Sequence, residues 1–417
     1  VAVGASAPSA ARGIAVSIRK SDLNRRIILL LAMLMSGGSL LLPRLPVLVL
    51  IVVLCLAARG WLIDLKREML PAVTLLAIIF AVALFRTEAG EPESTAIRFA
   101  NFVAGLLLLD VYLHADSGAL QRDLYAILKL MAWQSLLTVL LGETLNWLFV
   151  PVDVQDTYYY TLLGLFNFHY TLEETTALVR PDGFFYEPGV FQIYLNIFVY
   201  LALFVFRSTR WSIVAVAALF ATQSTTGVII CLILVGTYVT TRYINRGSLP
   251  ARIAKVMFAV VLIVPLVFVA SGNIREKLTG ESQGSFLVRQ YDLLTGVNVI
   301  LENPWLGIGF DYDQYHRAAN RLGYADTSLP GEITLDRSNS NGVVFLLYSI
   351  GIPLSIPFLI GMFRQVLFPQ RFLMGLLLLL GLMSESIIFT PFFLMIIFSG
   401  LLLGRRFASA PRALERA

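Results

Sequence analysis

Apolar positions along this chain gather into long runs instead of alternating or forming narrow stripes. The runs fall at 27–42, 46–58, 70–85, 97–113, 124–142, 188–206, 211–222, 225–241, 256–271, 342–361, 372–385 and 387–404. One helical crossing of a bilayer takes about 20 mainly apolar residues, and a helix satisfies its own backbone polar groups in hydrocarbon. The pattern therefore predicts an all-α, polytopic helical membrane protein with about 12 transmembrane helices. Some runs are short or parted only by weak breaks, such as Gln223 to Gly227. The organisation expected is a tail at 1–26, one transmembrane domain at 27–404 and a second tail at 405–417.

Composition agrees with that pattern. Hydrophobic residues make up 57% of the 417 and charged residues 14%, against about 25% charge in a typical soluble domain. A soluble globular enzyme, a disordered chain and a disulfide scaffold are excluded. Both cysteines, Cys55 and Cys231, lie in apolar runs and read as small hydrophobes. The basic stretch ending at Arg26 has no small-residue cleavage site close behind it and reads as a retained anchor.

Charge supplies the orientation. With the N-terminus cytoplasmic, Arg59, Lys66, Arg67, Arg122, Arg207, Arg210, Arg242, Arg364 and Arg371 fall inside, while the short outside loop at 87–95 carries Glu88, Glu91 and Glu93. This is the positive-inside asymmetry, and an even number of spans returns the C-terminus to the same side. The net charge of +5 is then mainly a topology signal, and no nucleic-acid partner is expected. Of the charges in or near spans, Asp110 and Lys129 are expected to pair with each other. Glu143 and Glu385 are the other two.

Two segments are too polar and too long for simple hairpins, 151–187 and 271–341, and both fall outside. Loops of such length are usually functional or disordered. Aromatic clusters such as Tyr158 to Tyr160 and Phe184 to Tyr186 predict that these two fold and pack on the bundle. Three constellations in them could carry chemistry. In the first, Arg180 precedes an Asp182–Gly183 turn, and Glu187 stands immediately before Pro188, which suits the first position of a helix. Glu187 would then lie at the positive end of that helix. Arg180 could grip an anionic head group, or merely pair with Asp182 or Glu187. The second spaces Ser285, Arg289, Asp292 and Gly296 along one helical stripe, leading into Glu302 to Phe310. Its bland alternative is an Arg289–Asp292 pair. In the third, Asn339, Ser340 and Asn341 open the span at 342, as helix caps or as a site for sugar hydroxyls. Asp311 and Asp313 weakly match a metal–nucleotide pattern, and helix capping explains them better. His169 and His316 read as loop hydrogen-bonders with a smaller claim to acid–base work. No Walker-type loop occurs, and neither a metal nor a cofactor is expected.

Taken in order, the stretches Arg180 to Gly189, Ser224 to Gly227, Ser285 to Arg289, Glu302 to Phe310 and Ser338 to Gly342 resemble the O-antigen polymerase and O-antigen ligase superfamily. The resemblance implies a GT-C-like glycosyltransferase in the bacterial inner membrane, its site facing the periplasm. Its donor would be a glycan on undecaprenyl pyrophosphate. Its acceptor would be a second lipid-linked repeat unit for a polymerase, or lipid A–core for a ligase, with membrane lipid around it and a chain-length regulator as a candidate partner. Arg180 and Arg289 match the family's two motif arginines and would hold the pyrophosphate, with Tyr186, Asn339, Ser340 and Asn341 as further substrate-binding candidates. Ligases carry a His where this chain has Ser340. A serine is no base unaided, so the general base falls to Glu187 first and His316 second, and the polymerase is favoured over the ligase. A transporter or flippase of lipid-linked sugars is the rival of a different class.

Overall fold

The computed structural model describes residues 20–38, 42–61, 66–86, 92–154, 157–169, 179–185, 187–244, 283–310, 312–321 and 339–404. The expected span at 256–271, residues 1–19 and 405–417 of the tails, Tyr186, Asp311 and residues 322–338 of the second loop lie outside the described residues.

Most of the apolar runs are helices. They are α1 (Lys20–Gly37), α2 (Arg44–Ala58), α3 (Leu70–Arg86), α4 (Pro92–Leu113), α5 (Ala119–Thr144), α6 (Pro188–Tyr200, prolonged by a π turn to Val205), α7 (Thr209–Ala221) and α8 (Thr225–Val239). The polar stripe forms α9 (Gln283–Glu302), followed by α10 (Tyr312–Arg321), α11 (Gly342–Arg364), α12 (Arg371–Ser384) and α13 (Pro391–Ser399). Among the described residues six helices are long and apolar enough to cross a membrane: Arg67–Arg86, Glu93–Leu113, Ala119–Thr144, Pro188–Val205, Thr225–Arg242 and Gly342–Arg364. The run at 387–404 departs from expectation. It holds only the nine-residue α13, about 14 Å long and buried on every side, so this piece is a half-helix enclosed by the bundle. Gly105 of α4 lets it approach closely, since a Cβ there would strike Leu394.

The fold is not purely α. The first polar loop folds, as expected, but into a four-stranded antiparallel meander ordered β1 (Val150–Val154), β2 (Thr157–Leu162), β3 (Phe166–His169) and β4 (Arg180–Gly183). A second small core of Phe149, Phe168 and Val179 seals it against the last turns of α5. Strands of four to six residues among turn formers leave little period-2 signal to read.

The second departure concerns α11, which breaks at Gly351 (φ +77°). The Glu302 to Phe310 motif fills the break. Ile308 N donates to Tyr348 O at 2.8 Å, Gly309 N to Ser349 O at 2.9 Å, and Ile352 N to Pro304 O at 2.8 Å. A helix interrupted inside a bundle must have its freed backbone groups answered by protein, and the loop answers them. Arg86 clamps the loop from the other side, donating to Gly307 O at 2.9 Å and Asn303 Oδ1 at 2.7 Å.

The Asp110–Lys129 pair does not form. Asp110 accepts from Arg59 Nε at 2.7 Å and lies 3.2 Å from His114 Nδ1. Lys129 instead sits over the rings of Tyr125 and Trp211, at 4.3 and 4.7 Å. Arg59, at the end of α2, is a full-charge donor within reach of Asp110, and an ammonium on a flexible stem finds aromatic faces nearby.

Candidate functional site

The site grows out of β4. Its start is tied down by Glu143 at the end of α5, whose Oε1 accepts from Val179 N at 2.6 Å. Pairing with β3 sets Arg180 opposite His169. The Asp182–Gly183 turn predicted from the sequence is real: Gly183 has φ +67°, and a Cβ there would strike the Phe191 ring. The Arg180 guanidinium turns toward the break between α7 and α8, where Nε donates to Thr222 O at 2.9 Å. Ser224 caps α8 through Gly227 N at the same break. Two separate motif stretches thus meet at one arginine. Neither bland partner explains it alone, because Asp182 is spent on His169, with Nδ1 to Oδ1 at 2.8 Å.

Glu187 and Pro188 begin α6 as the spacing predicted, with Pro188 in the first turn. Glu187 is exposed and makes no side-chain cap. Beside it, Gly189 opens room for a residue that sequence reasoning set aside: a Cβ on Gly189 would fall on the carboxylate of Glu385. Glu385 stands in the extended segment between α12 and α13, and Gly342 of α11 packs on its backbone carbonyl. Its carboxyl group lies beside that of Glu187. From α9, Arg289 brings Nη2 to 3.8 Å from Glu385 Oε1, with the arginine side chain 47% exposed and the glutamate 9%. That ion pair is loose, and its cation faces outward.

Arg180, Asp182, Glu187, Arg289 and Glu385 therefore act on one another electrostatically. Burial lowers the Arg180 pKa below its ordinary value, Asp182, Glu187 and Glu385 support its charge, and Arg289 opposes it. Burial pushes the Asp182 carboxyl up to about 6, against the His169 hydrogen bond, the charges of His169 and Arg180, and with help from Glu187.

The third motif is a positioning device. Asn339 is fully buried and donates to Asp292 O at 2.5 Å and to the Tyr315 hydroxyl at 2.9 Å. Ser340 N donates to Asp292 Oδ2 at 3.0 Å. Asn341 caps α11, accepting from Val343 N and Val344 N at 3.0 and 3.1 Å. The capping alternative for these asparagines is what the geometry favours. Gly296 lets α9 close on this cap, for a Cβ there would strike Val344. Of the predicted stripe, Arg289 reaches the acidic pair and Asp292 locks α9 to α11. His316 is not in the cluster: its ring lies edge-on to Tyr315, centroids 6.0 Å apart. Among the described residues no hydrogen bond or ion pair joins it to Glu187 or Glu385.

Sequence reading missed Glu385 and the Asp182–His169 pair. For Glu385 a signal existed, since an ionisable residue in or beside an apolar run is costly and marks a cavity or pathway by default. The His169–Asp182 contact depends on strand register, which short strands did not disclose.

The family model described as O-antigen ligase matches residues 211–359. The match bears out the resemblance to the O-antigen polymerase and ligase superfamily. It spans α7 to α11 and includes Arg289, His316 and the Asn339–Asn341 cap, whereas Arg180, Glu187 and Glu385 lie outside it. Comparison with curated proteins finds no match.

Proposed function

With residues 211–359 matching the O-antigen ligase family, we propose that this chain is a membrane glycosyltransferase that polymerises undecaprenyl-pyrophosphate-linked repeat units. It would work at the extracytoplasmic face of the bacterial inner membrane. The observation that carries the reading is the convergence of Arg180 and Arg289, from β4 and α9, on the Glu187–Glu385 pair. A lipid pyrophosphate leaving group gathers negative charge as the glycosidic C–O bond breaks. Guanidinium groups neutralise phosphate bidentately, which gives a route that needs no metal. Arg180 is oriented by Thr222 O at Nε and would turn its terminal nitrogens to the phosphate. Arg289, loosely paired and exposed, can leave Glu385 for it.

The acceptor side falls to Glu187. In its unprotonated form it takes the proton of the acceptor hydroxyl while that oxygen attacks the anomeric carbon of the donor. The bond to pyrophosphate breaks with its electrons on the departing phosphate oxygen. Glu385, buried beside Glu187, would tune how readily Glu187 acts. His316, the second candidate, is less well placed, and a chain-length regulator would act from outside this cluster.

The ligase alternative, with lipid A–core as acceptor, needs a base where ligases carry His. Ser340 stands there, with its backbone N–H on Asp292. Purified protein given lipid-linked repeat units should build a ladder without lipid A–core and in the presence of EDTA. Transfer only to lipid A–core would establish the ligase. Movement of the lipid-linked sugar across the membrane with no new glycosidic bond would establish the transporter. Loss of activity in EDTA would bring Asp311 and Asp313 back as metal ligands.

A further inference from the structure

The β2–β3 hairpin does not sit squarely on top of the bundle. β3 lies alongside the last turns of α5, where a Cβ at Gly142 would touch the Phe168 ring. Gln134, about eight residues or about 12 Å nearer the middle of that helix, donates from Nε2 to Leu165 O at 2.6 Å. Charges bracket the apolar stretch of α5. Asp123, held by Arg25 and Arg26, stands at one end, and Glu143 at the other. About 20 residues separate them, one hydrocarbon thickness, and the single charge between, Lys129, lies over the Tyr125 and Trp211 rings. Gln134 falls near the middle, so the hairpin tip is carried well below the level where the apolar stretch ends.

The chemistry of the tip suits that depth. Leu163 and Gly164 both take positive φ, +56° and +68°, at turn positions that ordinarily select Asn, Asp or Gly. Left-handed backbone is unfavourable for a leucine, and here it also leaves the side chain 79% exposed, with Leu165 44% exposed beside it. In water nothing offsets that. Among acyl chains each leucine would be withdrawn from water, which favours the arrangement. Three carbonyls at the tip are answered from within the protein, as hydrocarbon demands. Leu162 O accepts from Leu165 N at 3.1 Å, Gly164 O from Asn167 Nδ2 at 3.4 Å, and Leu165 O from Gln134. The neighbouring surface of α5 is an exposed apolar stripe of Leu130, Trp133, Leu137 and Leu140 at helical spacing.

We propose that Leu163-Gly164-Leu165 is a membrane-dipping tip, seated among the acyl chains of the leaflet on the sheet side of the bundle. Its occupant is lipid, and its effect is to fix the height of the sheet, and so of Arg180 on β4, against the bilayer surface. The inference rests on α5 crossing the membrane and stands whichever reaction the site performs.

The test uses full-length protein in lipid nanodiscs, with both buried cysteines replaced (Cys55→Ala, Cys231→Ala). Spin labels are placed singly at Leu163→Cys and Leu165→Cys. References are Leu137→Cys on the α5 stripe and Asp153→Cys on β1. At both tip positions collision with oxygen should exceed collision with a water-soluble nickel chelate severalfold, as at position 137. A nickel-dominated response at either tip position, as expected at position 153, overturns the proposal. So does shielding from both reagents, which would mean that protein covers the tip.

Discussion

Arg180 is held as few arginines are, with Nε on a main-chain carbonyl at 2.9 Å and four charged neighbours. A lysine placed there keeps the charge but loses the fork. Arg180→Lys is expected to lower kcat by about 100-fold, the scale of losing one oriented donor to a developing anion, with the protein still folded by thermal unfolding. The acidic pair makes a separate prediction. Glu385→Gln keeps the shape but removes the ionisable group beside Glu187, so the pH–rate profile should move while KM for the donor changes little. Glu187→Gln should abolish turnover at every pH, and wild-type rates from it would remove Glu187 as the base. Asp182 predicts a stability effect. Its carboxyl titrates near 4 in an unfolded chain and at about 6 in the folded one, so between those values the native state holds the extra proton. Stability from this group is therefore present at pH 4, declines as pH rises toward 6 and is level above. Asp182→Asn should flatten that part of the curve of thermal midpoint against pH, and an unchanged slope would count against the shift.

Among the elements, the loop from Glu302 to Phe310 and the broken α11 are one unit, because each supplies the backbone partners that the other lacks. Gly307 is the tightest point. It has φ +66°, and a Cβ would sit 2.5 Å from both Tyr348 O and Ser349 O. Gly307→Ala should destabilise by more than about 1 kcal/mol, read as a lower thermal midpoint in detergent, and a neutral result would mean the loop can rotate away. This part of the molecule also marks what the sequence disclosed. Apolar runs announced most helices because burial in lipid needs little more than composition. Pro188 and Asn341 announced helix starts because capping is local chemistry. Gly351 gave no comparable warning: inside an apolar run, only the loop that docks there explains its conformation. Glu385 gave a warning, as a charge beside an apolar run, but not its partners. It separates two apolar runs that read as adjacent crossings, while its meaning comes from Gly189 and Arg289, far away in sequence.

Over the whole molecule, charge is divided between two ends of the bundle. Arg25 and Arg26 hold Asp123, and Arg59 holds Asp110, where α1 and α5 start and α2 and α4 finish. Arg180, Arg289, Glu187 and Glu385 meet at the other end, where α6 starts and α12 finishes. The first group pairs fixed charges and needs no ligand. The second leaves a guanidinium and a carboxylate exposed, as a site for an anionic substrate requires. The positive-inside rule assigns the first end to the cytoplasm, which would put the second where lipid-linked glycans are polymerised. Single cysteines in the Cys55→Ala, Cys231→Ala background test this in spheroplasts. A membrane-impermeant maleimide should label Asp153→Cys directly, and Lys66→Cys and Arg122→Cys only after the membrane is opened. The reverse pattern would turn the arginines toward the cytoplasm, away from any extracytoplasmic donor, and the polymerase reading would fall with the topology.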